Sequence, residues 1–117
     1  MSINYSAYVR VINNTNRQID DVQVVLKARE LQLKECGSVP PNSSSNTKHG
    51  ITVYTGDHDW WTVTYKKNSL IYWVPDKKMC LDKKDAGGEV QIIIFDTKVK
   101  IIGVESDNSN EWNSERP

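Results

Sequence analysis

A chain of 117 residues is long enough to bury one proper core and too short for two domains. With 38% hydrophobic and 26% charged residues it has the composition of an ordered protein, and its fifteen basic and fifteen acidic side chains cancel. No positive excess is left to track a phosphate backbone, which excludes nucleic acid as the main partner.

The elements follow in chain order, nearly all with a period of two. Tyr5, Ala7, Val9 and Val11 alternate with Ser6, Tyr8, Arg10 and Ile12, and the strand ends at the turn cluster Asn13-Asn-Thr-Asn16. Val22, Val24 and Leu26 make a second strand, predicted to form a hairpin with the first, and Leu31 and Leu33 a third. Residues 37–46, with Pro40 and Pro41 amid Ser and Asn, read as a loop. Strands are predicted at 48–54, 60–66 and 69–74. A long connection over 75–88 follows, in which Met79 and Leu81 anchor to the edge of the core. A last hairpin joins 89–95 to 98–104 over Asp96-Thr97. The domain spans 1–104, and residues 105–117 read as a flexible polar tail apart from Trp112. About eight short strands with no convincing helix predict an all-β fold, an antiparallel β-sandwich or a closed barrel.

No stretch approaches the roughly 18 consecutive apolar residues of a membrane span. The first residues, Met1-Ser-Ile-Asn-Tyr-Ser, lack the basic start and apolar run of a signal peptide, so the sequence predicts a soluble, cytoplasmic protein, with unconventional secretion the alternative. Cys36 and Cys80 form no clustered motif and are expected to be reduced and partly buried; a bridge between them requires an oxidising compartment.

The stretch 48–65 carries the most information. Two alternating runs flank Gly56-Asp-His-Asp59, and this turn leads directly into Trp60-Trp61. Neighbouring residues of a strand point to opposite faces, so the two tryptophans cannot share one core. Trp61, Val63 and Tyr65 alternate inward, which favours Trp60 on an outer or rim surface; the alternative is that the rings fill the sandwich and its open end. On the next strand Ile71 and Trp73 read as core and Tyr72 as surface, the opposite phase being the alternative.

The segment Val-Arg-Val-Ile-Asn-Asn-Thr-Asn-Arg-Gln-Ile-Asp-Asp-Val-Gln-Val (9–24) resembles the first hairpin of the PUD-like domains, named for nematode proteins up-regulated in long-lived, insulin-receptor-deficient animals. The Pro-containing loop, Val-Tyr-Thr-Gly (53–56) and Asp-Trp-Trp-Thr-Val-Thr-Tyr (59–65) are similar to the second half of that pattern, so the likeness covers residues 8–74. It implies a β-sandwich related in shape to the aegerolysin and actinoporin cytolysins and to fungal fruit-body lectins. It also implies no catalytic activity and, in some members, dimers. The actinoporin pattern is incomplete here, because the first strand begins near Tyr5 and no amphipathic segment precedes it.

His49 and His58 are the only histidines, and no nucleophile elbow, Cys/His pair at family spacing or Gly-rich phosphate loop accompanies them, so no enzyme is predicted. Asp57-His58-Asp59 has metal-ligand residue types. Adjacent residues rarely converge on one ion, however, and the turn reading, with Gly56 supplying a positive φ, is preferred; no cofactor or metal is expected. The candidate ligand-binding residues are Tyr54, Asp57, His58, Asp59, Trp60 and Tyr72, an aromatic surface with hydrogen-bonding carboxylates at its rim. Such a surface suits a glycan or a lipid headgroup. The alternatives are a structural or regulatory protein that uses the patch to form a homo- or heterodimer, and one component of a cytolysin system.

Overall fold

A computed structural model describes residues 4–54 and 57–117. Among these, the alternating sequence makes ten strands: β1 (Asn4–Asn13), β2 (Ile19–Lys27), β3 (Leu31–Val39), β4 (Ser43–Ser44), β5 (His49–Tyr54), β6 (Trp60–Lys67), β7 (Leu70–Lys78), β8 (Glu89–Ile94), β9 (Lys98–Gly103) and β10 (Ser109–Asn113). A single 3-10 turn over Lys83–Asp85 interrupts them. The chain is all-β in two sheets. One runs β10-β9-β8-β1, with β4 and β5 sharing the far edge of β1; the other runs β3-β2-β6-β7. No helix among the described residues is long and apolar enough to cross a membrane.

Period two places one apolar set between the sheets. Ala7, Val9 and Val11 of β1, with Val90, Ile92 and Ile94 of β8, face Val22, Val24 and Leu26 of β2 and Trp61, Val63 and Tyr65 of β6 in one buried cluster. Burying a Val, Leu or Ile side chain contributes about 1.5–3 kcal/mol, so this cluster dominates the stability of the fold. Two bulges correct the phase where the sequence slips. In β2, Ile19 and Val22 both point inward because Asp21 takes φ 49° and adds a residue to the strand. In β7, Asp76 takes φ 50° and donates its backbone N–H to Thr62 Oγ1 at 2.9 Å.

Several expectations are revised. β1 and β2 lie in different sheets and do not form a hairpin; β2 pairs instead with β3 and β6. The Asn-rich turn carries the chain across the sandwich because Asn13 is fully buried there as a knot. Its amide donates to the carbonyls of Arg17 (2.7 Å), Val39 (3.0 Å) and Pro40 (3.0 Å), and its Oδ1 accepts from the backbone and hydroxyl of Thr15. The ladders are not all antiparallel, since β1 and β8 run parallel from Tyr8↔Glu89 to Asn13↔Ile94. The 37–46 loop shortens, because β3 extends through a positive-φ Gly37 to Val39 and β4 follows. Residues 105–117, read as a flexible tail, carry β10, whose register from Ser109↔Ile102 to Asn113↔Lys98 extends the first sheet. Polar edge strands of this kind bury little, so composition alone conceals them.

Each open side of the sandwich is stitched. On one, Gln32 of β3 acts as a strand substitute for β5, donating to Thr52 O (2.6 Å) and accepting from Thr52 N (2.8 Å). On the other, the backbones of Trp73 and Glu115 exchange two hydrogen bonds of 2.9 and 2.8 Å, and the hydroxyls of Tyr65 and Ser114 lie 2.8 Å apart.

Asn13→Ala strips one buried and two part-buried carbonyls and the buried Thr15 N–H of their partner, and urea unfolding should show a loss of about 2–3 kcal/mol. Deleting residues 114–117 removes the second stitch and should lower stability by about 1–2 kcal/mol in the same measurement, with the β-sheet circular dichroism retained.

Candidate binding site

Trp60 is the first residue of β6, and alternation sends it outward from the second sheet, where it is 38% exposed, while Trp61 is fully buried. Lys27 of β2 and Lys78 of β7 lie directly across from Trp60 on its two neighbouring strands. Beside the ring is an open depression of about 530 Å³, bounded by Lys27, Arg29, Asp57, His58, Trp60 and Asp76.

The β2–β3 turn and the 57–59 segment meet at this depression through Arg29. Its guanidinium lies 5.1 Å from the Tyr54 ring centroid and bonds Asp57 at 3.2 Å. The Tyr54 hydroxyl donates to Glu30 Oε1 at 3.0 Å, and that bond pushes its pKa up. Asp57, His58 and Trp60 therefore line one depression, and Tyr54 adjoins it.

Two expected site residues belong elsewhere. Asp59 is fully buried and faces inward, where it works as a backbone clamp: its carbonyl accepts from Met79 N (3.1 Å) and its Oδ2 from Leu81 N (2.8 Å). Trp61 completes the clamp by donating Nε1–H to Met79 O at 2.8 Å. Met79 and Leu81 are thereby buried at the core edge. Tyr72 lies opposite Tyr65, towards the other end of β6, and stacks on it with ring centroids 5.7 Å apart. It thus takes the inward phase, while Trp73 shares the outer face with Thr64 and Ile71 is 41% exposed. Gly56, expected to supply a positive φ to the turn, lies outside the described residues. With Asp57 held by Arg29 and Asp59 turned into the core, the Asp-His-Asp run does not converge on a common point.

Lys27, Arg29 and Asp76 were missed in the sequence reading. Their signal is cross-strand register, which a single sequence does not print, and the Asp76 bulge brings a carboxylate back beside Trp60. The same sheet face carries a second depression of about 400 Å³ at the Asp21 bulge, lined in part by Gln23, Glu35, Thr64 and Ile71. Leu31 and Leu33, 68% and 51% exposed, lie on this face beyond Lys27 and Val25. Comparison of the chain with protein-family models and with curated proteins finds no match.

Burial raises the Asp59 pKa to about 6, the Leu81 N–H opposing it, and Oδ1 has no hydrogen-bond partner. A carboxyl group raised on folding stabilises the native state most when protonated, and that contribution is lost as pH rises through 6. Lowering the pH from 7 to 5 should therefore stabilise wild type relative to Asp59→Asn by about 1 kcal/mol, read from urea midpoints of both proteins at both pH values.

Proposed function

We propose that the protein is a non-catalytic binding module that recognises a neutral, polyhydroxylated ligand, a glycan, on the outer face of the β3-β2-β6-β7 sheet. The observation that carries this reading is the exposed Trp60 ring on the wall of a depression that also presents Asp57, Asp76 and Lys27. An aromatic face packs against the C–H surface of a sugar ring, and fixed carboxylates and ammonium groups accept from and donate to its hydroxyls. Lys27 and Arg29 are offset by Asp57 and Asp76 in the depression, and this balance favours an uncharged glycan over a phosphate-bearing lipid headgroup. The resemblance to folds that include fruit-body lectins points the same way.

A second reading, association with another copy or a partner protein, draws support from Leu31 and Leu33 exposed on the same face. Trp60→Ala separates the two. Because the ring is outside the core, the variant should keep its urea midpoint within about 0.5 kcal/mol of wild type. On a glycan array the wild type should bind and Trp60→Ala should lose at least about tenfold in affinity, which corresponds to about 1.4 kcal/mol. A wild type that binds no glycan and scatters light as a dimer dispersed by Trp60→Ala would establish the second reading. Liposomes containing anionic lipid should neither sediment the protein nor leak dye in its presence.

A further inference from the structure

The clamp around Asp59 places a second chemical group beside the Trp60 depression. Met79 and Leu81 are both buried and fixed by three hydrogen bonds, from Met79 N to Asp59 O, Trp61 Nε1 to Met79 O and Leu81 N to Asp59 Oδ2. In extended chain, the residue between two inward neighbours points outward, and Cys80 does so. Its carbonyl accepts from Asn108 Nδ2 at 3.3 Å, and its Sγ lies 3.7 Å from His58 Nδ1, within hydrogen-bonding reach for sulfur. Cys80 is half-buried and opens onto a depression of about 360 Å³ lined by Lys78, Met79, Asn108, Ser109 and Asn110. The charged groups around the pair are Asp57 and Asp59 on the His58 segment, Lys27, Arg29 and Asp76 across the depression that His58 also lines, and Lys78 at the end of β7. Cys36 differs: it packs against the core, its thiol donates to the carbonyl of Lys34 at 3.7 Å, and burial pushes its pKa up to about 11.

We propose that Cys80 is a reactive thiol, with His58 as its proton acceptor, that forms mixed disulfides with small carboxylate-bearing disulfides. In the step, the Cys80 proton passes to His58 Nδ1 and the thiolate attacks one sulfur of the incoming disulfide. The S–S bond breaks as the Cys80–S bond forms, and the departing thiolate takes the proton from His58. Cys80 sulfur is oxidised, the departing sulfur is reduced, and no further oxidant is needed. Lys78 gives the depression its preference for an anionic disulfide.

The test uses the full chain with glutathione disulfide as probe, adducts being located by mass spectrometry after rapid acid quench. At pH 7 the Cys80 adduct should form about tenfold faster in the folded protein than at the same thiol in urea, with Cys36 unmodified on that timescale. His58→Gln should slow Cys80 about tenfold at pH 7 and little at about pH 9.5, where hydroxide replaces the imidazole as base. Lys78→Gln should slow the reaction with glutathione disulfide but not with uncharged hydroxyethyl disulfide. Equal rates in folded and unfolded protein, or a His58→Gln variant unchanged at pH 7, would overturn the proposal. Urea midpoints of each variant within about 0.5 kcal/mol of wild type separate lost reactivity from lost folding.

Discussion

Everything functional in this molecule depends on one constraint, the alternation that turns Trp61 into the core and therefore Trp60 out of it. The inward ring is more than filler. Its indole N–H needs a partner once buried and finds one in Met79 O, so the same side chain that fills the core draws the 79–81 segment against it. Asp59, one residue before the pair, also faces inward and holds both ends of that segment. The outward ring cannot follow, and it stands on the surface between Lys27 and Lys78. The proposed glycan surface and the proposed reactive thiol are thus both consequences of where β6 begins.

The clamp also contains an energetic conflict. The Asp59 carbonyl accepts from Met79 N and its carboxyl Oδ2 from Leu81 N, yet the other carboxyl oxygen is buried without a partner. A charge in such a place costs stability at neutral pH. The segment it secures has few alternatives, however, because it joins the end of β7 to the 3-10 turn and then crosses to the first sheet. There the buried Asp85 accepts from Asp82 N and Ser106 N. Tyr5 lies between these carboxylates, donates its hydroxyl to Asp82 O, and has its pKa raised by burial and by Asp85, Asp59 and Asp82. One end of the sandwich is therefore held by buried acids on backbone donors and the other by the Asn13 knot, with apolar packing between them.

Legibility in the sequence followed the same division. Where a strand is half-buried, its face could be read directly: Ala7-Val9-Val11, Val22-Val24-Leu26 and Trp61-Val63-Tyr65 all lie in the core with the expected phase. The phase failed on β3, where Leu31 and Leu33 face solvent, because an edge strand beyond the core carries no burial that would set its register. It was reversed on β7, where Tyr72 stacks on the buried Tyr65 and Ile71 and Trp73 take the outer face. Pairing was legible where a short turn joins neighbours, as in the β8–β9 hairpin over Asp96-Thr97, and not where the chain crosses between sheets. Whether β1 meets β2 or β8 depends on a buried Asn13, and asparagine clusters mark turns without saying where the turn leads.

The candidate site was half legible for a related reason. Trp60, Asp57 and His58 are contiguous, so strand geometry alone brings them together. Arg29, Lys27 and Asp76 arrive from other segments, through a register that begins at Lys27↔Trp60 and through a bulge. Asp59 was misassigned because residue type, an acid beside a histidine, outweighed position. Asp59 stands two residues before Trp61, so alternation carried back from β6 turns both side chains inward. That alternation, carried back through the 57–59 segment, is what separates His58 and Trp60, which face the surface, from Asp59, which lies between them in sequence and supports them from below.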